Sequence, residues 1–347
     1  MKALASSREP AAREPTRPRT GVSAFRVTGR WDAPPEAPTA TSPVDRALGP
    51  GSVIAGRYRL FERLARGGMG WVWSAVDETL QREVAVKLMS PELTDDEDYR
   101  ARFLDEARVA ASMSSPHVVT VFDGGIADGV PFLVLERLHG EDLHRRLQRA
   151  GRLSIAATSR LIVDAARGLA AAHAGGVVHR DIKPPNLFIT HRQADHEEMV
   201  KILDFGVANR SGTDLRRTRS GVVLGSPHFM SPEQVRGERA VGPASDLFSL
   251  AAVAYRCVTG RLPFEGDTSE VLVHIGRGAF APPSSLVPGL PPGIDAFFDR
   301  ALALEPGHRH PSALVMAHAL RAIADREAER RRRARRFADV RAALRGS

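Results

Sequence analysis

Between Val178 and Phe205 the chain sets polar residues at the ends of short apolar runs, in places where an ordinary core would carry apolar ones. It reads Val178-His179-Arg180-Asp181-Ile182-Lys183-Pro184-Pro185-Asn186-Leu187-Phe188-Ile189. After a polar turn it continues Val200-Lys201-Ile202-Leu203-Asp204-Phe205-Gly206. The apolar runs have the length of short buried strands, and two carboxylates and an amide stand at their ends.

This arrangement suits metal-assisted phosphoryl transfer. Asp181 can accept the proton of an attacking hydroxyl, and Lys183 can meet the moving phosphoryl group. Asn186 and Asp204 can supply oxygen ligands to magnesium. The two clusters resemble the catalytic loop and the Asp-Phe-Gly turn of the bacterial eukaryotic-type (Hanks-type) serine/threonine protein kinases. Either cluster alone is a modest signal; two at this separation are specific. The resemblance implies an α+β, bilobal protein-kinase fold: a small five-stranded antiparallel lobe with one main helix, and a larger, mostly helical lobe. It also implies ATP and Mg2+ as cofactors.

Composition agrees with a soluble globular body. The chain has 347 residues, of which 43% are apolar, and one cysteine, which suits a reducing compartment. No run of 18 uncharged apolar residues occurs, so no membrane span is expected. The Met1-Lys2 start lacks the apolar segment of a signal peptide, and the expected location is cytoplasmic. The formal charge of +8 is uneven: nine arginines stand against three carboxylates between Arg326 and Ser347. The high isoelectric point is therefore a property of a tail and not of a nucleic-acid-binding surface.

Three parts follow. Residues 1–55, with eight prolines in the first fifty positions, read as a flexible Pro/Ala-rich extension. Residues 56–322 form the kinase-like domain, with a small lobe at 56–135, a hinge at 136–138 and a large lobe at 139–322. Residues 323–347 are an Arg-rich tail with three open interpretations: a solvated basic extension of the last helix, a contact for an acidic protein or anionic membrane surface, or nonspecific nucleic-acid binding. Phe337 is almost its only aromatic residue, which argues against base stacking, and no specific nucleic acid is expected.

In the small lobe a strand leads into Ala65-Arg66-Gly67-Gly68-Met69-Gly70 and another leads away, a glycine turn whose N–H groups can close over phosphates. The kinase loop it resembles has three spaced glycines. Gly67 and Gly70 match the last two, but Ala65 replaces the first, and a positive φ there would cost about 1 kcal/mol. The strand Glu83 to Met89 delivers Lys87, and a helix expected over Asp98 to Met113 carries Glu106. Kinases resembling this chain pair such a lysine with such a glutamate, and the lysine holds the α- and β-phosphates. Further strands are expected at Val118 to Phe122 and Pro131 to Leu135, separated by a turn running from Asp123-Gly124-Gly125 to Asp128-Gly129. Glu136-Arg137-Leu138 resembles the hinge whose backbone holds adenine. By the same resemblance Leu135 stands at the back of the pocket, Val72 and Ala85 above the ring, and Phe188 beneath it.

The resemblance also implies supporting roles. His179 braces the catalytic loop, and Arg180 pairs with a phosphate on the segment after Asp-Phe-Gly, where Thr218 and Ser220 are the candidate sites. Ser226 contacts Asp181, Glu233 pairs with Arg309, and Asp246 hydrogen-bonds the backbone around His179-Arg180. Ser231 replaces an alanine of the family motif, with little expected consequence. The leading expectation is a serine/threonine kinase acting on protein substrates and on itself in trans. The alternative is a nucleotide-binding pseudokinase or scaffold that recruits partners through its basic tail. A small-molecule phosphotransferase fits less well, because the long segment ending at Ser226-Pro227-His228 suits a peptide substrate.

Overall fold

Alternation in Arg82–Met89 divides that strand between two environments. Val84, Val86 and Leu88 join Tyr58, Leu60, Trp73 and Val134 in one apolar cluster, whereas Met89 packs with Phe103 and Leu133 in another. Lys87 lies on the Met89 side, so the period of two that buries the valines also turns the lysine toward the helix and the cleft. In this computed structural model the described residues are 48–67, 70–94, 96–192, 197–205, 227–238 and 240–343. The side chains at 91, 98, 102, 106, 107, 110 and 340–343 lie outside that description.

The strand is β4 of a six-stranded sheet ordered β1-β2-β3-β4-β6-β5, antiparallel throughout. Its members are β1 (Val53–Ile54), β2 (Tyr58–Gly67), β3 (Gly70–Asp77), β4, β5 (Val121–Ala127) and β6 (Val130–Glu136). The five expected strands are present, and β1 adds a two-residue sixth. Ile54 of β1 is buried in the sheet's outer cluster, and Leu48 packs beside it. Two helices, α1 (Pro91–Thr94) and α2 (Glu97–Ala111), follow β4.

One expected strand shifts. Val118 bridges Ile202 of the large lobe instead of starting β5, and β5 runs straight through Asp123-Gly124-Gly125. These glycines are not a turn. A Cβ on Gly124 would stand 2.8 Å from the Leu133 side chain, so the residue is small to let β6 approach. The reversal falls at Asp128-Gly129, where both residues have positive φ.

The large lobe is built on helices. After β7 (Gly140–Asp142), Asp142 caps α3 (Leu143–Ala150) by accepting from the Arg145 N–H, and Ser154 caps α4 (Ile155–Ala174) through the Ala157 N–H. Leu161, Ala165, Leu169 and Ala172 are buried on α4, as their spacing predicts. The strand β8 (Leu187–His191) pairs with β7 on one side and β9 (Glu198–Ile202) on the other, in a three-stranded sheet with Asn186 and Asp204 just beyond its strand ends. Then come α5 (Pro232–Val235), α6 (Pro243–Thr259), α7 (Thr268–Arg277), α8 (Pro283–Leu286), α9 (Ile294–Ala301) and α10 (Ala313–Ala343). Helix α10 packs against α4 and continues through the arginine run, making 31 residues. Arg331 pairs with Glu327 and Arg333 with Glu329, both at i,i+4 spacing. The first interpretation of the tail, a basic extension of the last helix, therefore describes residues 323–343.

Candidate active site

His179 is the centre of the catalytic loop's packing. Fully buried, it receives the Asp181 N–H on Nδ1 and donates from Nε2 to the Leu203 carbonyl, at 3.2 and 3.0 Å. Those two bonds fix the orientation of the ring between the loop and the Leu203 carbonyl. The ring lies 4.7 Å from that of Phe205, so one imidazole locks the loop to the Asp204-Phe205 turn. Its contacts brace the loop, as the resemblance implies.

Asp181 is half exposed at the loop's end. Lys183 reaches its Oδ2 at 2.9 Å, and the Asn186 amide donates to both its carbonyl and its Oδ2, at 2.8 and 3.1 Å. Committing Nδ2 to Asp181 leaves the Asn186 amide oxygen as the atom for a cation. The β8–β9 ladder brings Asp204 to the same place: Leu187 pairs with Ile202, and the Leu203 N–H donates to the Asn186 carbonyl at 2.9 Å. Asn186 and Asp204 thus offer hard oxygen donors of the kind magnesium takes.

Lys87 crosses from the small lobe and donates to Asp204 Oδ1 at 2.8 Å. Desolvation opposes ionisation of that carboxyl. The Lys87 ammonium, with His179 and Lys183 behind it, outweighs this and holds Asp204 below the usual carboxylate range. Asp204 has a φ of +44°, a left-handed conformation that aspartate tolerates better than most residues. A small cleft opens beside this pair, lined by Val119, Val121, Leu133, Leu135 and Phe205.

The glycine turn resolves the question posed by Ala65. Ala65 pairs with Val72 across β2 and β3 and has no positive φ, so its methyl group imposes no backbone strain. Gly70 is the obligatory glycine. Its φ is +153°, and a Cβ there would meet the Leu88 carbonyl oxygen at 1.9 Å. A Cβ on Gly67 would meet the Gly70 carbonyl oxygen at an ordinary 3.8 Å, and Gly68 lies outside the described residues. Arg63 and Arg66 lie over the Trp71 ring at 4.3 and 4.9 Å, bracing the hairpin from outside.

Around the expected adenine site, Ala85 pairs with Leu135, Val72 with Lys87, and Phe188 with Asp142 and Lys201. Leu135 and Glu136 end β6, and the chain passes through Leu138 into β7. Val119, Val121 and Leu133 also line the cleft but were not singled out in the sequence, where they look like any other core residues.

Below the loop, Asp246 sits buried in the first turn of α6. It accepts from the His179 and Arg180 N–H groups at 2.8 and 2.7 Å, and its Oδ2 also meets His173 Nε2 at 2.8 Å. Arg180 has a φ of +65°, which is strained for a long side chain. It is pinned from both sides, by Asp246 on its N–H and by Gln234 Nε2 on its carbonyl at 2.7 Å. Ser231, expected to be inconsequential, is the N-cap of α5 and closes a capping box with Gln234. That box orients the amide that holds Arg180.

Glu233 and Arg309 form a buried two-pronged ion pair, both contacts at 2.8 Å. Burial pushes the Glu233 carboxyl up, but Arg309 and the Ser245 hydroxyl together hold it below the usual range. Arg309 also donates to the carbonyls of Ala244, Ala303 and Leu304. This satisfies a charge that would otherwise be expensive to bury. Of the remaining expected residues, Glu106 lies on α2 with its side chain outside the description. Thr218, Ser220 and Ser226 fall outside the described residues altogether.

A half-open antiparallel lobe over a helical one, with a lysine from the first reaching an aspartate of the second, defines a protein-kinase module. The chain matches the protein kinase domain model over residues 58–318 and belongs to that family. It is 38% identical over 280 residues to the serine/threonine-protein kinase PknA of Mycobacterium tuberculosis, covering 79% of this chain and 62% of that protein. It is 36% identical over 276 residues to the serine/threonine-protein kinase PknE of Mycobacterium bovis, covering 78% and 47%. The chain thus spans less than two thirds of the length of these curated relatives. Among solved structures, the M. tuberculosis PknI kinase domain is similar with a TM-score of 0.64 at 26% identity, covering 80% of this chain and 99% of that one.

Proposed function

We propose that this chain is an ATP-dependent serine/threonine protein kinase that phosphorylates proteins, including other copies of itself on the segment containing Thr218 and Ser220. The observation that carries this is the Lys87 to Asp204 contact above a loop in which Asp181, Lys183 and Asn186 are already hydrogen-bonded together. Lys87 would hold the α- and β-phosphates of ATP, and the hinge backbone at Glu136 and Leu138 its adenine. Asn186 and Asp204 would hold magnesium, which supplies neutralising charge at the phosphate oxygens. Asp181 orients the incoming hydroxyl and accepts its proton, and Lys183, bonded to that carboxylate, faces the transferred group.

The pseudokinase alternative rested on Ala65, and the unstrained backbone at that position removes its support. The exposed arginines of α10 are the surface we would assign to an acidic protein or an anionic membrane. Among the described residues no helix is long and apolar enough to cross a membrane. We assign the domain to the cytoplasm because ATP is available there. Incubating the purified chain with γ-labelled ATP and magnesium should label the chain itself and a generic acceptor protein. Asp181→Asn and Lys87→Met should abolish both signals. Equal labelling in all three proteins would refute the assignment.

A further inference from the structure

Lys201 belongs to no cluster that the chemistry above uses, yet its side chain is only 12% exposed and reaches a partner 65 positions away in the chain. From β9 of the large lobe its ammonium donates to Glu136 Oε1 at 2.6 Å. The same oxygen accepts the Thr120 N–H at 2.8 Å, and the Glu136 N–H donates back to the Thr120 carbonyl at 2.9 Å. Glu136 is the last residue of β6 and the first of the hinge.

The neighbours of Lys201 on β9 reach the same way. His117 Nδ1 meets the Val200 carbonyl at 3.1 Å, the Ile202 N–H donates to the His117 carbonyl at 2.9 Å, and the Val119 N–H donates to the Ile202 carbonyl at 3.0 Å. Three consecutive residues of β9 are therefore stitched to segment 117–120 and, through Lys201, to the hinge itself. Two residues further on, the strand delivers Asp204.

We propose that Lys201 is a positioning residue for nucleotide: its ion pair with Glu136 sets the hinge backbone, which would hold adenine, at a fixed offset from Asp204, which would hold the metal at the phosphates. The physical basis is that both ends of one ligand must be met at once, and a charge-assisted bond of 2.6 Å between their supports removes the freedom that binding would otherwise have to freeze out. The side chain of Glu136 thus acts structurally, while its main chain faces the base. This rests on the kinase assignment, and its test separates the two.

Binding of Mg-ADP is measured by calorimetry, and KM for ATP and kcat by phosphate transfer, on the full chain. Lys201→Met should weaken Mg-ADP binding and raise KM for ATP by about tenfold while kcat stays within about twofold. Lys201→Arg should restore both. Glu136→Gln keeps an acceptor for Thr120 and should show a smaller rise, and adding Lys201→Met to it should cost less than in the wild type. Unchanged Mg-ADP affinity in Lys201→Met overturns the proposal. So does a fall in kcat and melting temperature that Lys201→Arg does not reverse, because that describes a merely structural lysine. A wild-type chain that binds no Mg-ADP overturns the kinase assignment itself, whatever the variants do.

Discussion

The ammonium of Lys87 and the carboxylate of Asp204 stand 2.8 Å apart across 117 residues of chain, one from each lobe. The contact sets opposite charges from the two lobes against each other at the cleft. Removing either partner costs the other this charge-assisted bond. Lys87→Met or Asp204→Asn should lower phosphate transfer about a hundredfold or more, read as incorporation of label from ATP at saturating magnesium.

The glycine turn predicts an asymmetry between its first and last positions. Gly70→Ala drives a methyl group into the Leu88 carbonyl, and Mg-ADP affinity should fall about tenfold or more, with a lower melting temperature. Ala65→Gly relieves no strain and should leave affinity within about twofold. Calorimetric titration of both variants checks the pair.

Glu233 and Arg309 join the end of the activation segment to the loop before α10, both side chains buried. Arg309→Met should lower unfolding free energy by about 3–5 kcal/mol, because Glu233 is left charged in the interior. The double variant Glu233→Gln with Arg309→Met should be less damaging than the sum of the single changes, and denaturant unfolding of the set measures the difference.

Asp77, at the end of β3, accepts two bonds from Arg57 and the Thr79 and Leu80 N–H groups. The Arg57 hydrogen bond leads, and against the opposing effect of burial these partners hold the carboxyl down to about 2. A depressed folded-state pKa gives stability that is complete above the ordinary carboxylate range and lost as pH falls through it toward about 2. Asp77→Asn should remove that dependence, so urea-unfolding midpoints of wild type and variant should converge as pH drops from about 5 to about 2.

Cys257 is buried in α6, and burial pushes its thiol up to about 12. At neutral pH it should resist thiol reagents in the folded chain and react promptly in denaturant; a colorimetric thiol assay before and after unfolding checks this.

The polar residues of the site were legible because each interrupts an apolar run: Asp181, Asn186 and Asp204 have no reason to end buried strands unless they meet. Their supports were partly legible. Asp246 and the Glu233–Arg309 pair follow from the family resemblance. Gly124 misled, because a glycine beside aspartate signals a turn by composition, whereas here it admits the Leu133 side chain. Lys201 left no trace at all. A lysine in a strand reads as a solvent-facing residue, and only the fold shows Glu136, 65 positions away, at its tip. Of the three interpretations of the tail, the structure speaks to the helical one: the glutamate–arginine pairs at 327 with 331 and 329 with 333 fall on one continuous helix.

Asp246 spends one side chain on His173 and on two consecutive main-chain N–H groups, and it does so from inside α6. The platform under Asp181 is thereby anchored to the scaffold of the large lobe and not to any ligand. The main chain at Arg180, one residue before Asp181, is therefore set by the packing of the large lobe itself, held from α6 on one side and from α5 on the other.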